Sequence, residues 1–282
     1  MKAKYINPFT DFGFKKIFGE EASKPLLLDF LNALLPQKSQ IVDLSFKNAE
    51  QLGQTEADRK AIYDIYCEND RGEKFIVELQ KAKQNYFKER TIYYSTFPIR
   101  EQGERGEWNY NLKAVYCVGI LDFTFDDYET EPEKSEVVHT IQLKNQNGKT
   151  FYDKLTYIYL EMPNFSLKEE ELKTRLDKWL YFIKHLEDFQ NIPSIFKDDV
   201  FKKAFEKAEI AKMDETDLSR YQNSLKIYRD LKGVIDTAFD EGKLEGFMEG
   251  KLTVAKALKA QGFPVDVIAA STGLSSNEIE QL

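Results

Sequence analysis

The sequence predicts an α/β or α+β protein in which helices cover a mixed β-sheet. Three observations lead to this fold class. Helix and strand patterns follow the order helix, strand, strand, strand, helix, strand, strand, strand over residues 7–160. One of those strands, residues 113–121, is almost wholly apolar, as expected for a central strand buried on both faces. From residue 168 to residue 260 the apolar spacing is helical throughout.

The chain opens with two predicted helices in residues 7–35. Thr10 or Asp11 can cap the first helix, because both side chains accept hydrogen bonds from free backbone N–H groups. Phe14 and Phe18 recur at helical spacing. We therefore predict that these two aromatic side chains are core residues.

A second helix is predicted to start near Ser23, with Pro25 in its first turn, and to end at Pro36. Residues 41–48 alternate between apolar and polar side chains and predict a strand. The polar residues 49–60 that follow predict a loop.

A β-hairpin is predicted over residues 61–80, with its turn at residues 69–72 (NDRG), where the glycine supplies a positive φ. If the hairpin is centred on Arg71, Asp64 and Glu78 are direct cross-strand neighbours. Opposed like charges destabilise a sheet, so this pair needs a counter-charge. A metal ion is one such counter-charge.

Three polar side chains of the hairpin, Asp64, Glu78 and Gln80, stand where strand residues are usually apolar. Because side chains alternate along a strand, Glu78 and Gln80 share one face. Two carboxylates and an amide can hold a hard cation such as Mg²⁺, and carboxylate-held Mg²⁺ is a common means of cutting a phosphodiester. The alternative is an exposed strand face with ordinary acids, which is common in antiparallel sheets.

The next helix is predicted from about residue 84 to residue 102 and is amphipathic. Tyr93 and Tyr94 are adjacent on it and cannot both face inward, so one of them is predicted to pack. Two further strands are predicted at residues 137–143 and 154–160. The order of the strands within the sheet cannot be read from these patterns.

The composition is that of a soluble globular protein of one large or two modest domains, with 282 residues, 42% hydrophobic and 31% charged. The sequence shows no apolar run long enough to span a bilayer and no signal-peptide core at its start, so we expect a cytoplasmic location. Cys67 and Cys117 lie in apolar runs and are predicted to be core residues without a disulfide. His139 and His185 are too few for a zinc cluster or a His-dependent triad.

The net charge of -8 is unfavourable for nucleic-acid binding, because phosphate contacts need Lys and Arg side chains. A local basic patch is still compatible with this charge, since residues 81–105 hold six Lys and Arg residues. The alternatives for this segment are a solvated helix face and a phosphate-contacting surface, and we favour the second.

Two patterns mark the C-terminal region. A Glu-Gly repeat in residues 241–251 places Gly242, Gly246 and Gly250 on one helical face, which indicates close helix packing or a flexible arm. Residues 265–282 resemble the second half of a helix-turn-helix. The last helix of this segment has no Arg or Lys, so we favour a small packing or self-association module over a DNA-reading one.

Several of these features occur together: the opening NPFTDFGFKKIFG, the strand with Asp64, the Glu78-Leu79-Gln80 triplet, the helix with Arg90 and Tyr94, and a tail with Glu-Gly repeats and a TGLS turn. In this combination the chain resembles the recombination-promoting nuclease and transposase family of the PD-(D/E)XK nuclease superfamily, which is widespread in bacteria. The resemblance covers essentially the whole chain and is strongest over residues 5–121.

The resemblance implies a restriction-endonuclease-like core, in which a central mixed sheet is flanked by helices. We accordingly predict a nuclease-like domain over residues 1–165, a helical region over 166–240, and a Glu-Gly helix with a small helical tail over 241–282. The resemblance also implies Mg²⁺-dependent cleavage of DNA, with Mn²⁺ as an alternative metal, and a link to recombination or mobile elements.

Carried over residue by residue, Asp64 matches the first acid of the superfamily signature and Glu78 the second. Gln80 stands where most of the superfamily has Lys, which removes a positive charge that would help align the attacking water. Similar families accept Gln at this position. Lys81 or Lys83 would be a replacement, but strand alternation predicts that Lys81 falls on the opposite face.

The resemblance implies that Asp64, Glu78 and the carbonyl of Leu79 bind the metal, and that Gln80 positions the attacking water. For Lys15 we favour a surface charge or a structural ion pair over catalysis. The implied supporting residues are Asp11, Lys15, Arg90 and Tyr94.

Three hypotheses follow from the sequence. The first is an active metal-dependent DNA endonuclease, for which double-strand cutting would favour a homodimer. The second is a degenerate nuclease fold that acts as a DNA-binding or protein-interaction module. The third is an interaction protein that works through its long helical C-terminal region. In each case we expect no membrane partner.

Overall fold

The computed structural model describes residues 3–51, 61–125 and 132–282. The chain divides into two compact units, Met1–Tyr228 and Arg229–Leu282. Each unit is described by itself below. None of the described helices is both long and apolar enough to cross a membrane.

The first unit contains a mixed sheet and the helices that cover it. Its helices are α1 (Asp11–Phe18), α2 (Lys24–Leu34), α3 (Phe87–Glu101), α4 (Arg175–His185), α5 (Asp199–Ala208) and the first turns of α6 (Glu215–Ala260). Its strands are β1 (Leu44–Phe46), β2 (Glu50–Gln51), β3 (Ala61–Ile62), β4 (Ile65–Asn69), β5 (Lys74–Gln80), β6 (Val115–Leu121), β7 (Val138–Lys144) and β8 (Thr150–Glu161).

Six of the described strands form one sheet in the order β1-β4-β5-β6-β8-β7. The three central strands, β5, β6 and β8, run parallel, and the flanking pairs are antiparallel. The predicted mixed sheet with flanking helices is therefore confirmed. The almost wholly apolar strand of the sequence is β6, which lies between β5 and β8 and is buried along its length apart from Tyr116.

The hairpin of β4 and β5 has the register predicted from its turn. Ile65 lies opposite Val77, and Cys67 lies opposite Phe75. Gly72 has a φ of 78°, the left-handed conformation for which a glycine was expected in the turn. Continuing this register beyond Ile65 brings Asp64 beside Glu78.

The segment before this hairpin differs from the prediction of one continuous strand after a polar loop. β2 lies within the predicted loop and pairs with β3, and residues 52–60 of that loop lie outside the described residues. β3 and β4 are separate because the backbone changes partner between them. Tyr63 N–H donates to Ala49 O, and Leu79 N–H donates to the Asp64 carboxylate rather than to a strand carbonyl.

The two faces of the sheet have different covers. One face packs against α1, α2, α4 and α5 around fully buried aromatic side chains that include Phe14, Phe18 and Trp179, so the predicted core positions of Phe14 and Phe18 are confirmed. The other face packs against α3 through residues such as Tyr66 and Phe97. Burial of each large apolar side chain contributes about 1.5–3 kcal/mol. Glu78 and Gln80 have the parity of Ile76 and therefore belong to the α3 face.

The predicted caps of the first two helices have different outcomes. Thr10 caps α1, since its Oγ1 accepts a hydrogen bond from Gly13 N–H at 2.9 Å. Ser23 precedes α2 but makes no side-chain cap, because its hydroxyl donates to the carbonyl of Lys16. α2 ends at Leu34, as expected for a helix that is followed closely by Pro36.

The helices that follow the sheet belong to the same compact unit. Arg175 of α4 pairs with Asp29 of α2 at 2.7 Å and with Asp198, the cap of α5, at 2.8 Å. The indole of Trp179 also donates to Asp29. Residues 166–228 therefore share a core with the sheet. The predicted division at residue 165 remains a prediction about which parts fold alone.

The second unit is helical. The end of α6, α7 (Val265–Thr272) and α8 (Ser276–Glu280) enclose a small core that includes Ala255 and Ile268. Ser275 caps α8 by accepting a hydrogen bond from Glu278 N–H. For each glycine of the Glu-Gly repeat, no described atom beyond its chain neighbours and the adjacent backbone of its own helix lies within 4 Å of an added Cβ. Close packing on that face is therefore not found within the described residues.

Candidate active site

Asp64 and Glu78 are held together at the point where β4 begins and β5 nears its end. The backbone N–H of Asp64 donates to Oε1 of Glu78 at 3.3 Å. Oδ2 of Asp64 in turn accepts from the backbone N–H of Leu79 at 2.8 Å. Each carboxylate is thus oriented by one backbone hydrogen bond.

Burial shifts both carboxyl groups toward the neutral form. It raises the pKa of Glu78 to about 8, with a further contribution from the nearby charge of Asp64. Burial also raises the pKa of Asp64, although the Leu79 hydrogen bond and the charge of Lys15 oppose the shift. Because both carboxyl groups resist ionisation, a positive counter-charge beside them would stabilise their ionised forms.

Lys15 supplies positive charge at this site. Its Nζ lies 2.9 Å from Oδ1 of Asp11 and 3.6 Å from Oδ1 of Asp64. Burial disfavours the ammonium, but the two carboxylates outweigh burial and raise the pKa of Lys15. The structure thus brings Asp11 and Lys15 to the acid pair, in the ion-paired arrangement that was favoured for Lys15 from the sequence.

The donor atoms at the acid pair fit a hard divalent cation. Within a strand, the N–H and C=O of one residue point to the same edge, so the carbonyl of Leu79 lies on the edge of β5 that faces Asp64. Carboxylate and carbonyl oxygens are the ligands that Mg²⁺ takes, together with several waters. Among the described residues, no three His, Cys, Asp or Glu side chains converge as a metal cluster. A cation here would therefore rely on two carboxylates, one carbonyl and water.

Gln80 is nearly buried, and both ends of its amide are engaged. Its Nε2 donates to Ala82 O at 2.9 Å, and its Oε1 accepts from Nη2 of Arg90. Arg90 lies on α3 and also donates to Oε1 of Gln84. The structure therefore connects Gln80 directly to Arg90, a contact that no sequence pattern indicated.

Tyr94 lies on the inner side of α3, and Tyr93 on its outer side. The Tyr94 ring meets the ring of Tyr63 edge-on at 5.7 Å, and the Tyr94 carbonyl accepts from the Tyr63 hydroxyl at 2.9 Å. The guanidinium of Arg90 lies 5.9 Å from the Tyr94 ring centroid. Tyr93 is 44% exposed, so only one tyrosine of the pair packs inward. Tyr94 is connected to the site through Arg90, which contacts the Tyr94 ring and donates a hydrogen bond to Gln80.

A cleft of about 620 Å³ opens beside Asp64, the member of the acid pair that lines it. It is lined by α1, by Asp64 and Lys81 at the strand ends, and by the first turns of α6. Lys81 lines the same cleft as Asp64. It has the parity of Leu79, whose face of β5 packs against α1, so it lies on the face opposite Gln80 as strand alternation predicts. The contribution of α6 could not be found from the sequence, since more than 130 residues separate it from Gln80.

A six-stranded mixed sheet with flanking helices, and an Asp just before β4 paired with a Glu on β5, define an α/β protein of the restriction-endonuclease-like class. The sequence model of one family, the PD-(D/E)XK nuclease family transposase, matches residues 8–238, and the chain belongs to that family. The resemblance inferred from the sequence is thereby confirmed.

Membership supports a nuclease- or transposase-like function, for which DNA is the expected substrate. Nucleases of this superfamily generally use divalent metal ions. A search of curated proteins gave no match, and neither did a search of solved structures.

Proposed function

We propose that this protein is a metal-dependent DNA endonuclease that hydrolyses phosphodiester bonds. The observation that carries the proposal is the hydrogen-bonded pair of Asp64 and Glu78 beside a cleft, in a chain of a nuclease family. We take Mg²⁺ as the metal and Mn²⁺ as its alternative. A bound metal of this kind supplies an acidified water and stabilises negative charge on the phosphorus centre.

The residues of the chain have separate roles in this proposal. Asp64 and Glu78 hold the metal with the carbonyl of Leu79, and the hydrogen bond from Leu79 N–H orients Asp64. Gln80 positions the attacking water. Because both ends of its amide are engaged in the described arrangement, this role requires that its bond to Ala82 or Arg90 be exchanged for one to water.

The supporting residues act on these groups rather than on the phosphorus centre. Arg90 donates to Gln80 and lies over the ring of Tyr94, so Arg90 and Tyr94 together support Gln80 from the α3 side of the site. Arg90 also carries a charge suited to a phosphate. Lys15 neutralises part of the acid pair until a metal binds, and Asp11 holds Lys15 in place.

The second candidate function is a catalytically degenerate nuclease fold that acts as a DNA-binding or protein-interaction module. One observation favours it. Gln80 replaces the usual Lys, and the cation nearest Asp64 is Lys15, which is itself bound to Asp11. On this alternative, Lys15 is a permanent counter-ion and no metal enters the site.

Plasmid nicking separates the two candidates. Supercoiled plasmid is incubated with the protein in Mg²⁺, Mn²⁺ or EDTA, and Asp64→Asn and Glu78→Gln are compared with wild type. Glu20→Gln is the matched control, because Glu20 lines the same cleft but pairs with Lys16 and Lys207. We expect metal-dependent nicking by wild type and the control, and none by the two site variants. A folded wild type without nicking in either metal would support the degenerate module.

A homodimer, a cytoplasmic location and a link to recombination or mobile elements are also part of the proposal. Cutting both strands of a duplex needs two passages of one site or two sites in one particle. Light scattering on the full chain tests the dimer, and a monomeric mass with efficient double-strand cutting would contradict it.

A further inference from the structure

The cleft beside Asp64 is lined by as many cations as acids, although the whole chain carries a net charge of -8. Two of these cations are neutralised within the cleft. Lys15 pairs with Asp11 and Asp64. Lys16 pairs with Asp217 at 2.6 Å and with Glu20 at 3.0 Å.

The other two cations, Lys81 and Arg220, form no ion pair with any described acidic residue. Lys81 is half-buried just beyond β5, and Arg220 is exposed on α6. Asp64 lies between the end of β5 and α1. Both cationic side chains therefore border the space that a DNA strand must enter to reach the acid pair. Their positive charge is therefore available to an anionic ligand.

The position of Arg220 is set by contacts on either side of it along α6. Asn7 N–H donates to the hydroxyl of Tyr221 at 2.9 Å, and Phe12 N–H donates to Oγ of Ser224 at 3.1 Å. Asp217, one turn before Arg220, is bound by Lys16. These bonds hold the first turns of α6 against the segment that leads into α1, so the base of the Arg220 side chain has a fixed place at the cleft.

We propose that Lys81 and Arg220 form a phosphate subsite that holds a backbone phosphate of the DNA strand next to the one cleaved at Asp64 and Glu78. The inference rests on the proposed function, since it names where the substrate of that same site is held. Phosphate contacts fix the register of a nucleic acid on a protein without reading its sequence. A planar guanidinium suits two phosphate oxygens, and a Lys ammonium acts on them as a point charge.

The subsite explains how a chain of negative net charge admits a polyanion to its acidic centre. The acid pair repels phosphate until it is neutralised, and the paired Lys15 and Lys16 have little charge to offer. Lys81 and Arg220 add two cations at the cleft that form no ion pair with the described acidic residues. Lys81 directly follows Gln80. It therefore brings a cation near the position where the superfamily signature has Lys and this chain has Gln.

The test is DNA binding without catalysis. A fluorescein-labelled duplex of mixed sequence is titrated with the full chain in EDTA at several KCl concentrations, and affinity is read from anisotropy. The variants are Lys81→Ala, Arg220→Ala and Arg220→Lys. Lys226→Ala is the matched control, because Lys226 is an exposed cation of the same helix that does not line the cleft. Thermal melting of each variant verifies that it is folded.

We expect each alanine variant of the subsite to weaken binding by roughly tenfold. It should also lower the slope of log affinity against log salt concentration by about one, while Arg220→Lys retains the wild-type slope. Lys226→Ala should match wild type. If wild type binds DNA and both alanine variants bind with its affinity and slope, the subsite is wrong and the nuclease proposal stands. If wild type neither binds DNA nor nicks plasmid, both proposals are overturned.

Discussion

The backbone N–H of Asp64 donates a hydrogen bond to the carboxylate of Glu78 at 3.3 Å, so one acid of the pair orients the other. This contact exists because the pairing of β4 with β5 begins at Ile65, which leaves the backbone N–H of Asp64 free for a side-chain acceptor. The repulsion between the two carboxylates is relieved partly by the raised pKa of Glu78, which favours its protonated form, and partly by the positive charge of Lys15. Stability at this site should therefore respond to metal, to pH and to substitution of Lys15.

Divalent metal should raise the melting temperature of wild type. A ligand that binds only the folded state at about 100 times its dissociation constant stabilises it by about 2.7 kcal/mol, or roughly 5–10 °C for a domain of this size. Asp64→Asn should abolish the shift, because it removes a ligand of the metal. Glu20→Gln should retain it. Differential scanning fluorimetry with Mg²⁺, Mn²⁺ and EDTA measures the effect, and an equal shift in all three proteins would contradict the site.

In the absence of metal, Glu78 should make the protein less stable as the pH rises. Its pKa is raised from an ordinary 4.5 to about 8 in the folded state, so the folded protein binds this proton more tightly than the unfolded chain. The contribution of Glu78 is therefore fully present below pH 4.5 and is lost as the pH rises toward about 8.

Glu78→Gln isolates this contribution. The amide does not titrate in that range, so the stability difference between the variant and wild type should grow in favour of the variant between these two pH values. Urea unfolding in EDTA at a series of pH values measures the difference. A stability difference that is independent of pH would show that the pKa of the Glu78 carboxyl group is not raised.

Removal of Lys15 should destabilise the fold modestly and make metal more stabilising. Lys15 is 43% exposed, so the loss from Lys15→Gln should be about 1 kcal/mol or less. The melting shift caused by Mg²⁺ should be larger in the variant, because the metal then supplies the missing counter-charge. Lys4→Gln is the control, since Lys4 is 39% exposed and pairs with Glu209 away from the site. Equal Mg²⁺ shifts in both variants would contradict the role of Lys15.

A chain that ends at residue 165 should not fold alone. Phe18 and Phe30 are fully buried, and both pack against Trp179 of α4, with ring centroids at 5.4 and 5.9 Å. Truncation exposes these rings and leaves Asp29 without Arg175. Calorimetry should show a cooperative transition for a chain that ends at residue 228 and none for the shorter chain. A cooperative transition at 1–165 would support the division predicted from the sequence.

The turn and the alternation of the hairpin were sufficient to predict the pairing of Asp64 with Glu78. A turn centred on Arg71 sets the register of both strands, and no other part of the chain changes it. The core positions of Phe14 and Phe18 and the cap at Thr10 were also predictable, since they depend on helical spacing and local hydrogen bonds.

The partners of the site residues were not predictable in this way. Gln80 binds Arg90 across the gap between a strand and a helix, and Lys81 shares its cleft with residues of α1 and α6 that are distant in the chain. The separation of β3 from β4 depends on Ala49, which accepts the backbone hydrogen bond of Tyr63.

By itself the sequence determined the class of the fold, the acid pair and its register, because each depends on periodicity, turn chemistry or spacing within a short segment. Only the tertiary structure decided the order of the strands, the counter-charge from Lys15 and the approach of Arg220 to the cleft. Those features arise where elements distant in the chain pack together, and their packing is set by the shape of the whole core rather than by any local pattern.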